Sequence, residues 1–275
     1  QSLNFVGGSS GVLGLGRGML SFASQLPPIG DKDKENNQRF SYCFTDFFHP
    51  NASTSHEHEH EHEHEHEHEE QEQQHGSYLQ FGVAQPSLPL HYTPLLTNPV
   101  MEGLSYYYVG VRSVTVSGRP VPDIDEHIWS MDELGHGGTI IDTGTTLTYL
   151  PRPAYEPILE EIKAALLCLG LELESATTHS LWDGFEACFN STAFSREAML
   201  PKFGICFNGA DACFEPPPEN YFLEVAVGVR CLGILPVDSP FGMAVLGNLF
   251  QQNFLIEMDT HAMTMGFSPA HCILT

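Results

Sequence analysis

The sequence predicts a mainly β protein, and three observations support this fold class. Short runs of strand-forming residues recur along the chain, among them SYLQFGV (77–83), SYYYVGVRSVTVSG (105–118), GGTIIDTG (137–144) and NFLIEMD (253–259). They alternate apolar with polar or β-branched residues, and Gly, Pro and Asn separate them. Convincing helical periodicity is confined to one long segment. The chain of 275 residues, 41% of them hydrophobic, can build a large core in one or two domains.

That long helix is predicted over residues 153–170, PAYEPILEEIKAALLCLG. Apolar side chains recur there at steps of three and four, namely Tyr155, Ile158, Leu159, Ile162 and Leu166. Pro153 suits the first turn, and Gly170 suits the end. A shorter helix is predicted over residues 18–26, GMLSFASQL, because two prolines follow it.

Charge and hydropathy exclude several classes of partner. Eleven Lys and Arg residues stand against 35 Asp and Glu residues, a formal net charge of −24, which argues against nucleic acid and anionic membranes. No apolar run approaches the roughly 18 residues that a membrane-spanning helix needs. We therefore expect no nucleic acid and no membrane partner. No cofactor is expected either.

Residues 51–75 form a low-complexity segment in which His and Glu alternate, with no residue suited to a core. Such a composition predicts a disordered surface insertion. The histidines could bind transition metals or respond to pH, but a repeat expansion tolerated in a loop is the favoured interpretation. We predict no metal site.

Seven cysteines stand singly along the chain, with no CxxC pair, so they do not indicate a zinc ribbon or a redox motif. They fit disulfide partners or buried thiols. Two triplets, Asn51-Ala52-Ser53 and Asn190-Ser191-Thr192, match the glycosylation signal. Cysteines and triplets together favour a secreted protein in an oxidising compartment.

The segment GGTIIDTGTTLTYLP (137–151) carries the best candidate for chemistry. Asp142 follows a strand-like run and precedes Gly144, which can adopt turn conformations closed to other residues. The hydroxyl groups of Thr143 and Thr145 can donate hydrogen bonds to the carboxylate. This pattern predicts an acid held in a fixed orientation within a β core.

The same segment closely resembles the second active-site segment of pepsin-like aspartic proteases. AVLGNLFQQNFLIEMD (244–259) resembles the hydrophobic-hydrophobic-Gly segment that runs beneath it in that family. Four further stretches resemble the plant nepenthesin-like branch: GVLGLGRGMLSFASQL (11–26), RFSYCF (39–44), YYYVGVRSVTVSG (106–118) and MGFSPAHC (265–272). Because these stretches follow the family order, the resemblance covers nearly the whole chain.

The resemblance implies a bilobal fold with a substrate cleft between two β-rich lobes. Residues 1–100 would be the end of the first lobe, including the insertion at about 51–75. Residues 101–275 would be a complete second lobe carrying Asp142. It also implies an aspartic endopeptidase that cleaves a protein or peptide substrate in the inter-lobe cleft at acid pH.

In this family two aspartates, one from each lobe, share a proton and activate a water molecule, a standard example of coupled carboxyl groups. The resemblance makes Asp142 the catalytic acid of the second lobe. Thr143 would brace the pair across the lobes, and Thr145 would hydrogen-bond to the Asp142 carboxylate. Leu246 and Gly247 would lie under this loop, and Leu13 and Gly14 under the corresponding loop of the first lobe.

One part of the family pattern is missing. No second D-T-G or D-S-G occurs in the 275 residues, and only ten residues precede GVLGLG. We therefore expect a piece of a longer protein, monomeric and inactive alone. The alternative is a non-catalytic binding or inhibitor-like protein of the same fold. A symmetric pairing of two Asp142 residues is less favoured, because the remnant of the first lobe would obstruct it.

The resemblance also implies two disulfides, Cys43 with Cys272 and Cys188 with Cys231. Cys206 and Cys213 could close a short loop. Cys168 is then left over and is predicted to be a buried thiol. The expected location is extracellular, in the apoplast or cell wall, or vacuolar.

Overall fold

The structure is a computed structural model that describes residues 11–26, 39–46, 76–82, 88–100, 106–174, 184–192, 200–239 and 242–272. The predicted insertion at 51–75 and the candidate glycosylation site Asn51 lie outside these ranges.

Strands dominate the described residues, and they begin and end as follows. The first nine are β1 (Arg39–Cys43), β2 (Tyr78–Phe81), β3 (His91–Leu96), β4 (Tyr107–Val109), β5 (Val111–Val116), β6 (Arg119–Pro120), β7 (Thr139–Ile141), β8 (Thr148–Pro151) and β9 (Leu173–Glu174). The others are β10 (Cys188–Asn190), β11 (Phe203–Phe207), β12 (Cys213–Phe214), β13 (Phe222–Ala226), β14 (Val229–Leu232), β15 (Ile234–Val237), β16 (Ala244–Leu246), β17 (Phe254–Asp259) and β18 (Thr264–Pro269). The predicted mainly β class is confirmed.

Three α-helices accompany these strands in the described part: α1 (Phe22–Gln25), α2 (Arg152–Cys168) and α3 (Asn248–Gln251). Short 3-10 helices cover Glu126–Trp129 and Pro218–Asn220. No helix among the described residues is long and apolar enough to cross a membrane.

The described strands form one ten-stranded sheet and two four-stranded sheets. The large sheet has the order β15-β8-β16-β7-β4-β3-β18-β17-β1-β2, and the smaller sheets have the orders β13-β14-β10-β9 and β12-β11-β5-β6. Most pairs are antiparallel, whereas β7 with β16 and β8 with β15 are parallel. Strands from both sides of residue 100 share the large sheet, since β3 pairs with β4. The predicted domain boundary there stays a prediction.

Helix α2 agrees with its prediction, and its apolar stripe is buried. Tyr155, Ile158, Leu159, Ile162 and Leu166 are each at most 3% exposed. Cys168 is the exception, because the predicted buried thiol is exposed. It lies two residues beyond Leu166, which turns its side chain about 200° away from the buried stripe.

The shorter predicted helix, at residues 18–26, is wrong in extent. Only one turn forms, α1, which Ser21 caps by accepting a hydrogen bond from Ser24 N at 3.2 Å. Met19 and Leu20 are 89% and 91% exposed. A longer helix would have had no described residues against which to bury Met19 and Leu20, and short helices depend on such packing.

Three disulfides join the pairs considered above, Cys43–Cys272, Cys188–Cys231 and Cys206–Cys213. Strand register brings two of these pairs together. Cys188 lies directly opposite Cys231 in β10 and β14, and Cys206 opposite Cys213 in β11 and β12. The first bridge spans 229 residues and ties the end of β1 to the segment after β18.

A contiguous hydrophobic core supports the large sheet and the helix α3 that follows β16. Its aromatic centre is Phe214, whose ring centroid lies 4.1 Å from that of Phe254 and 5.6 Å from that of Phe250. Phe250, in α3, is 1% exposed. This core packing supports strand β16 and helix α3. The loop that carries Asp142 lies against these two elements.

Candidate active site

Asp142 lies at the end of a parallel strand pair. Strand β7 runs between β4 and β16, and Leu246 of β16 lies opposite Ile141. The backbone N–H of Asp142 continues this pairing by donating to the Leu246 carbonyl at 3.1 Å. The position of the acid is therefore set by two strands about 100 residues apart in the chain.

The carboxylate of Asp142 is held by its own turn. Oδ1 accepts a hydrogen bond from the Gly144 N–H at 2.9 Å, and Oδ2 accepts one from the Thr145 hydroxyl at 2.6 Å. Asp142 is only partly buried. Since each carboxylate oxygen has further acceptor capacity, the group keeps a fixed orientation while part of it stays open to a ligand.

Thr143 takes part through its backbone. Its carbonyl oxygen lies 3.5 Å from Asn248 Nδ2, at the start of α3. The bracing role implied for the Thr143 side chain stays a prediction. Within the described residues, no second carboxylate shares a hydrogen bond or an ion pair with Asp142.

Gly247 lies directly under this turn. A β-carbon at this position would lie 2.1 Å from the Leu147 carbonyl oxygen and 2.9 Å from that of Thr145. The next N–H, of Asn248, donates to Thr145 O at 2.6 Å. Contacts this close leave room only for glycine, so the turn and the segment beneath it pack backbone against backbone.

A buried polar link connects this loop to β1, and the sequence reasoning missed it. The Tyr42 hydroxyl donates to Gln251 Oε1 at 2.6 Å, and Gln251 Nε2 donates to Leu246 O at 2.7 Å. The same Leu246 carbonyl holds the Asp142 N–H. The pair of glutamines inside the otherwise apolar run LFQQNF was the only sequence signal that could have indicated this link.

The electrostatic surroundings of Tyr42 reflect its closeness to the candidate acid. Burial raises the pKa of Tyr42 far above its usual value, and the nearby Tyr107 and Asp142 raise it further. Burial also raises the pKa of Tyr107, to about 12. Both phenols therefore stay neutral at acid and neutral pH and act as hydrogen-bond donors.

The Leu13-Gly14 segment has very different surroundings. A β-carbon on Gly14 would meet no atom within 4 Å, and Leu13 is 51% exposed. A few hydrogen bonds hold this stretch, including Tyr107 Oη to Leu15 O at 2.7 Å. No described loop lies over it in the way that the Asp142 turn lies over Gly247.

The described residues contain no group of three or more His, Cys, Asp or Glu side chains arranged to hold a metal ion. The other candidate site residues have different places. The three disulfides tie β1, β10 and β11 to their partner segments, and Asn190 lies exposed at the end of β10.

Comparison with known proteins relates the chain to two named groups. A family model described as "Xylanase inhibitor C-terminal" matches residues 106–269. "Aspartyl protease family protein 2" of Arabidopsis thaliana is 32% identical over 266 residues, which cover 96% of this chain and 46% of that protein. "Aspartic proteinase nepenthesin-1" of Nepenthes gracilis is 28% identical over 271 residues, which cover 97% and 51%.

Solved structures show the same fold. The crystal structure titled "edgp" has a TM-score of 0.70 at 22% identity over 94% of this chain and 59% of that one. Basic 7S globulin from soybean has a TM-score of 0.63 at 20% identity, over 94% and 58%. The chain spans about half the length of the curated relatives that it matches. It belongs to the xylanase inhibitor C-terminal family and, with its pepsin-like fold, to the plant nepenthesin-like branch of the pepsin-like aspartic proteases.

Proposed function

We propose that this chain contributes one catalytic aspartate, Asp142, to an aspartic endopeptidase that works at acid pH. The observation that carries the proposal is the arrangement of its carboxylate. Gly144 N–H and the Thr145 hydroxyl orient it at the end of two parallel strands, and it remains partly exposed. A structural turn acid would not need backbone packed as tightly as that of Gly247 beneath it.

The chemistry needs a second carboxyl group. In an aspartate pair, the ionised member takes a proton from water while the protonated member polarises the scissile carbonyl group. Two carboxylates this close cannot both ionise readily, so the pair titrates as a unit. We propose that the second aspartate belongs to a first-lobe segment outside these 275 residues, and that the chain alone does not cleave peptides.

The named relatives support this assignment, since they are called aspartyl protease and aspartic proteinase. The substrate would be a protein or peptide bound between the lobes. The disulfides favour an oxidising compartment, so we propose that the protein is secreted or vacuolar.

The test uses a fusion protein in which the first-lobe segment of nepenthesin-1, the part that this chain does not match, precedes this chain. The activity of the fusion is compared with that of the chain alone. On an acid-denatured protein substrate, the fusion is expected to cleave and the chain alone is not. Asp142→Asn in the fusion should lower kcat about 10²- to 10⁴-fold. Asp123→Asn is the matched control, because Asp123 is exposed and its backbone φ of 61° suits Asn equally well.

Two outcomes would contradict the proposal. A folded fusion that cleaves equally well with Asn at position 142 removes the role of Asp142. Cleavage by the chain alone that disappears in Asp142→Asn contradicts the need for a partner segment.

The second candidate function is non-catalytic binding of a protein, as in an inhibitor. The description of the matching family, "Xylanase inhibitor C-terminal", favours it. In this case the fusion folds, shows no proteolysis, and lowers the activity of an added xylanase. Measuring xylanase inhibition beside the protease assay separates the two functions.

A further inference from the structure

We propose that Asn190 carries an N-linked glycan. It is the asparagine of the triplet Asn190-Ser191-Thr192, and it is the exposed last residue of β10. The other triplet begins at Asn51, outside the described residues, so only Asn190 can be judged by its geometry. The proposal is independent of whether the protein cleaves peptides or binds a partner.

The folded triplet leaves the acceptor nitrogen of Asn190 available. Its Oδ1 accepts two hydrogen bonds, from Thr192 N at 2.9 Å and from Thr192 Oγ1 at 2.6 Å. Nothing in the described part of the chain accepts a hydrogen bond from Asn190 Nδ2. A sugar attached to this nitrogen therefore displaces no hydrogen bond among these residues and needs no rearrangement of β10.

The surroundings also offer the glycan a surface to cover. Ser191 N donates to Gly228 O at 2.8 Å, and a β-carbon on Gly228 would lie 2.2 Å from the Thr192 methyl group. The triplet thus lies against the turn that joins β13 and β14. Val227 in this turn is 95% exposed, and a neighbouring glycan would shield it from other proteins.

A neighbouring disulfide is consistent with the compartment in which N-linked glycosylation takes place. Cys188, two residues before Asn190 in the same strand, forms a disulfide with Cys231. Disulfides form where the chain is exposed to an oxidising environment, such as the lumen of the endoplasmic reticulum. Secretory glycosylation of Asn-x-Ser/Thr triplets occurs in that compartment.

The reaction requires a lipid-diphosphate-linked oligosaccharide as its donor. A bond forms between Asn190 Nδ2 and the anomeric carbon of the first sugar. The bond from this carbon to the diphosphate oxygen breaks, and the lipid diphosphate leaves with the electron pair. The amide nitrogen loses one proton, and no atom is oxidised or reduced.

The test expresses the full chain through the secretory pathway of a yeast and maps its peptides by mass spectrometry before and after endoglycosidase treatment. The wild-type peptide containing Asn190 is expected to be mostly glycosylated. Thr192→Val, which keeps the shape but lacks the hydroxyl group, and Asn190→Gln should both lose this glycan. Thr192→Ser, which preserves the triplet, should retain it.

A secreted, disulfide-bonded wild-type chain with an unmodified Asn190 peptide would overturn the proposal. A glycan found at Asn51 alone would do the same. If a variant fails to be secreted, the peptide map of the wild-type chain still decides the question.

Discussion

Two segments of this chain share the letters Val-Leu-Gly and have opposite surroundings. Leu246 is 1% exposed and Gly247 lies under the Asp142 turn, whereas Leu13 is 51% exposed and Gly14 has open space around it. The three letters alone therefore do not fix the environment of the motif. The loop that packs over it determines whether its glycine is indispensable and whether its leucine is buried.

The exposed segment is apolar beyond its motif. Val12, Met19 and Leu20 are between 80% and 91% exposed, and Phe22 is 41% exposed although its ring lies 5.2 Å from that of Phe81. A first-lobe segment carrying the second aspartate would cover this surface under the proposed function. Three tests examine whether the two segments really differ in this way.

The largest effect is expected from adding a methyl group to Gly247, for which the same change at Gly14 is the comparison. Gly247→Ala should lower the free energy of unfolding by about 3 kcal/mol or more, because its β-carbon meets backbone atoms that cannot rotate away. Gly14→Ala should change it by less than about 0.5 kcal/mol. Urea denaturation of both variants measures the contrast.

Equal destabilisation by the two alanines would show that Gly14 is also covered, and the comparison would fail. In the fusion with a first-lobe segment, Gly14→Ala should become costly as well. That result would sharpen the comparison, because the added loop would be the only change.

A smaller loss is expected on removing the buried hydroxyl that supports the Asp142 loop from β1. Tyr42→Phe leaves Gln251 Oε1 without its donor, and both residues are buried, so the cost should be about 2 kcal/mol. Tyr106→Phe is the matched control, since Tyr106 is 41% exposed. Its effect should stay within about 0.5 kcal/mol in the same titration. Similar losses for both variants would mean that the link from Tyr42 to Gln251 adds nothing.

The smallest effect concerns the exposed segment. Tyr107→Phe removes the hydrogen bond to Leu15 O, which is only partly buried, and should cost about 1 kcal/mol. Because few bonds hold residues 11–26, limited proteolysis should speed up there and leave the Asp142 loop intact. Faster cleavage at residues 142–148 instead would show that the two segments are not independent.

Features that depend on contacts between residues close together in the chain could be predicted from the sequence. The turn around Asp142 could be predicted because its hydrogen-bond donors, Gly144 and Thr145, lie within three residues of the acid. The buried stripe of α2 could be predicted because helical geometry repeats over a short distance. The prediction that Cys168 is buried was wrong because it rested on the residue type and not on the position of the residue around the helix.

Other features depended on contacts that no local pattern encodes. The helix predicted at 18–26 forms only one turn, and Met19 and Leu20, which would lie in a longer helix, are almost fully exposed. The link between Tyr42 and Gln251 joins residues 209 positions apart. The pairing of β1 with β17 brings these parts of the chain together.

The mainly β class, the family and the candidate acid Asp142 follow from the sequence, and the family resemblance implied that the Thr145 hydroxyl group orients this acid. Residue patterns over short stretches are sufficient for the fold class and the turn, and the order of such stretches along the chain is sufficient for the family. Three features needed the folded structure: which Val-Leu-Gly segment is covered, how Gln251 ties the acid's strand to β1, and that no described residue accepts a hydrogen bond from the Asn190 amide nitrogen. These features depend on strand register and close packing between distant segments, and neither is written in any short stretch of the chain.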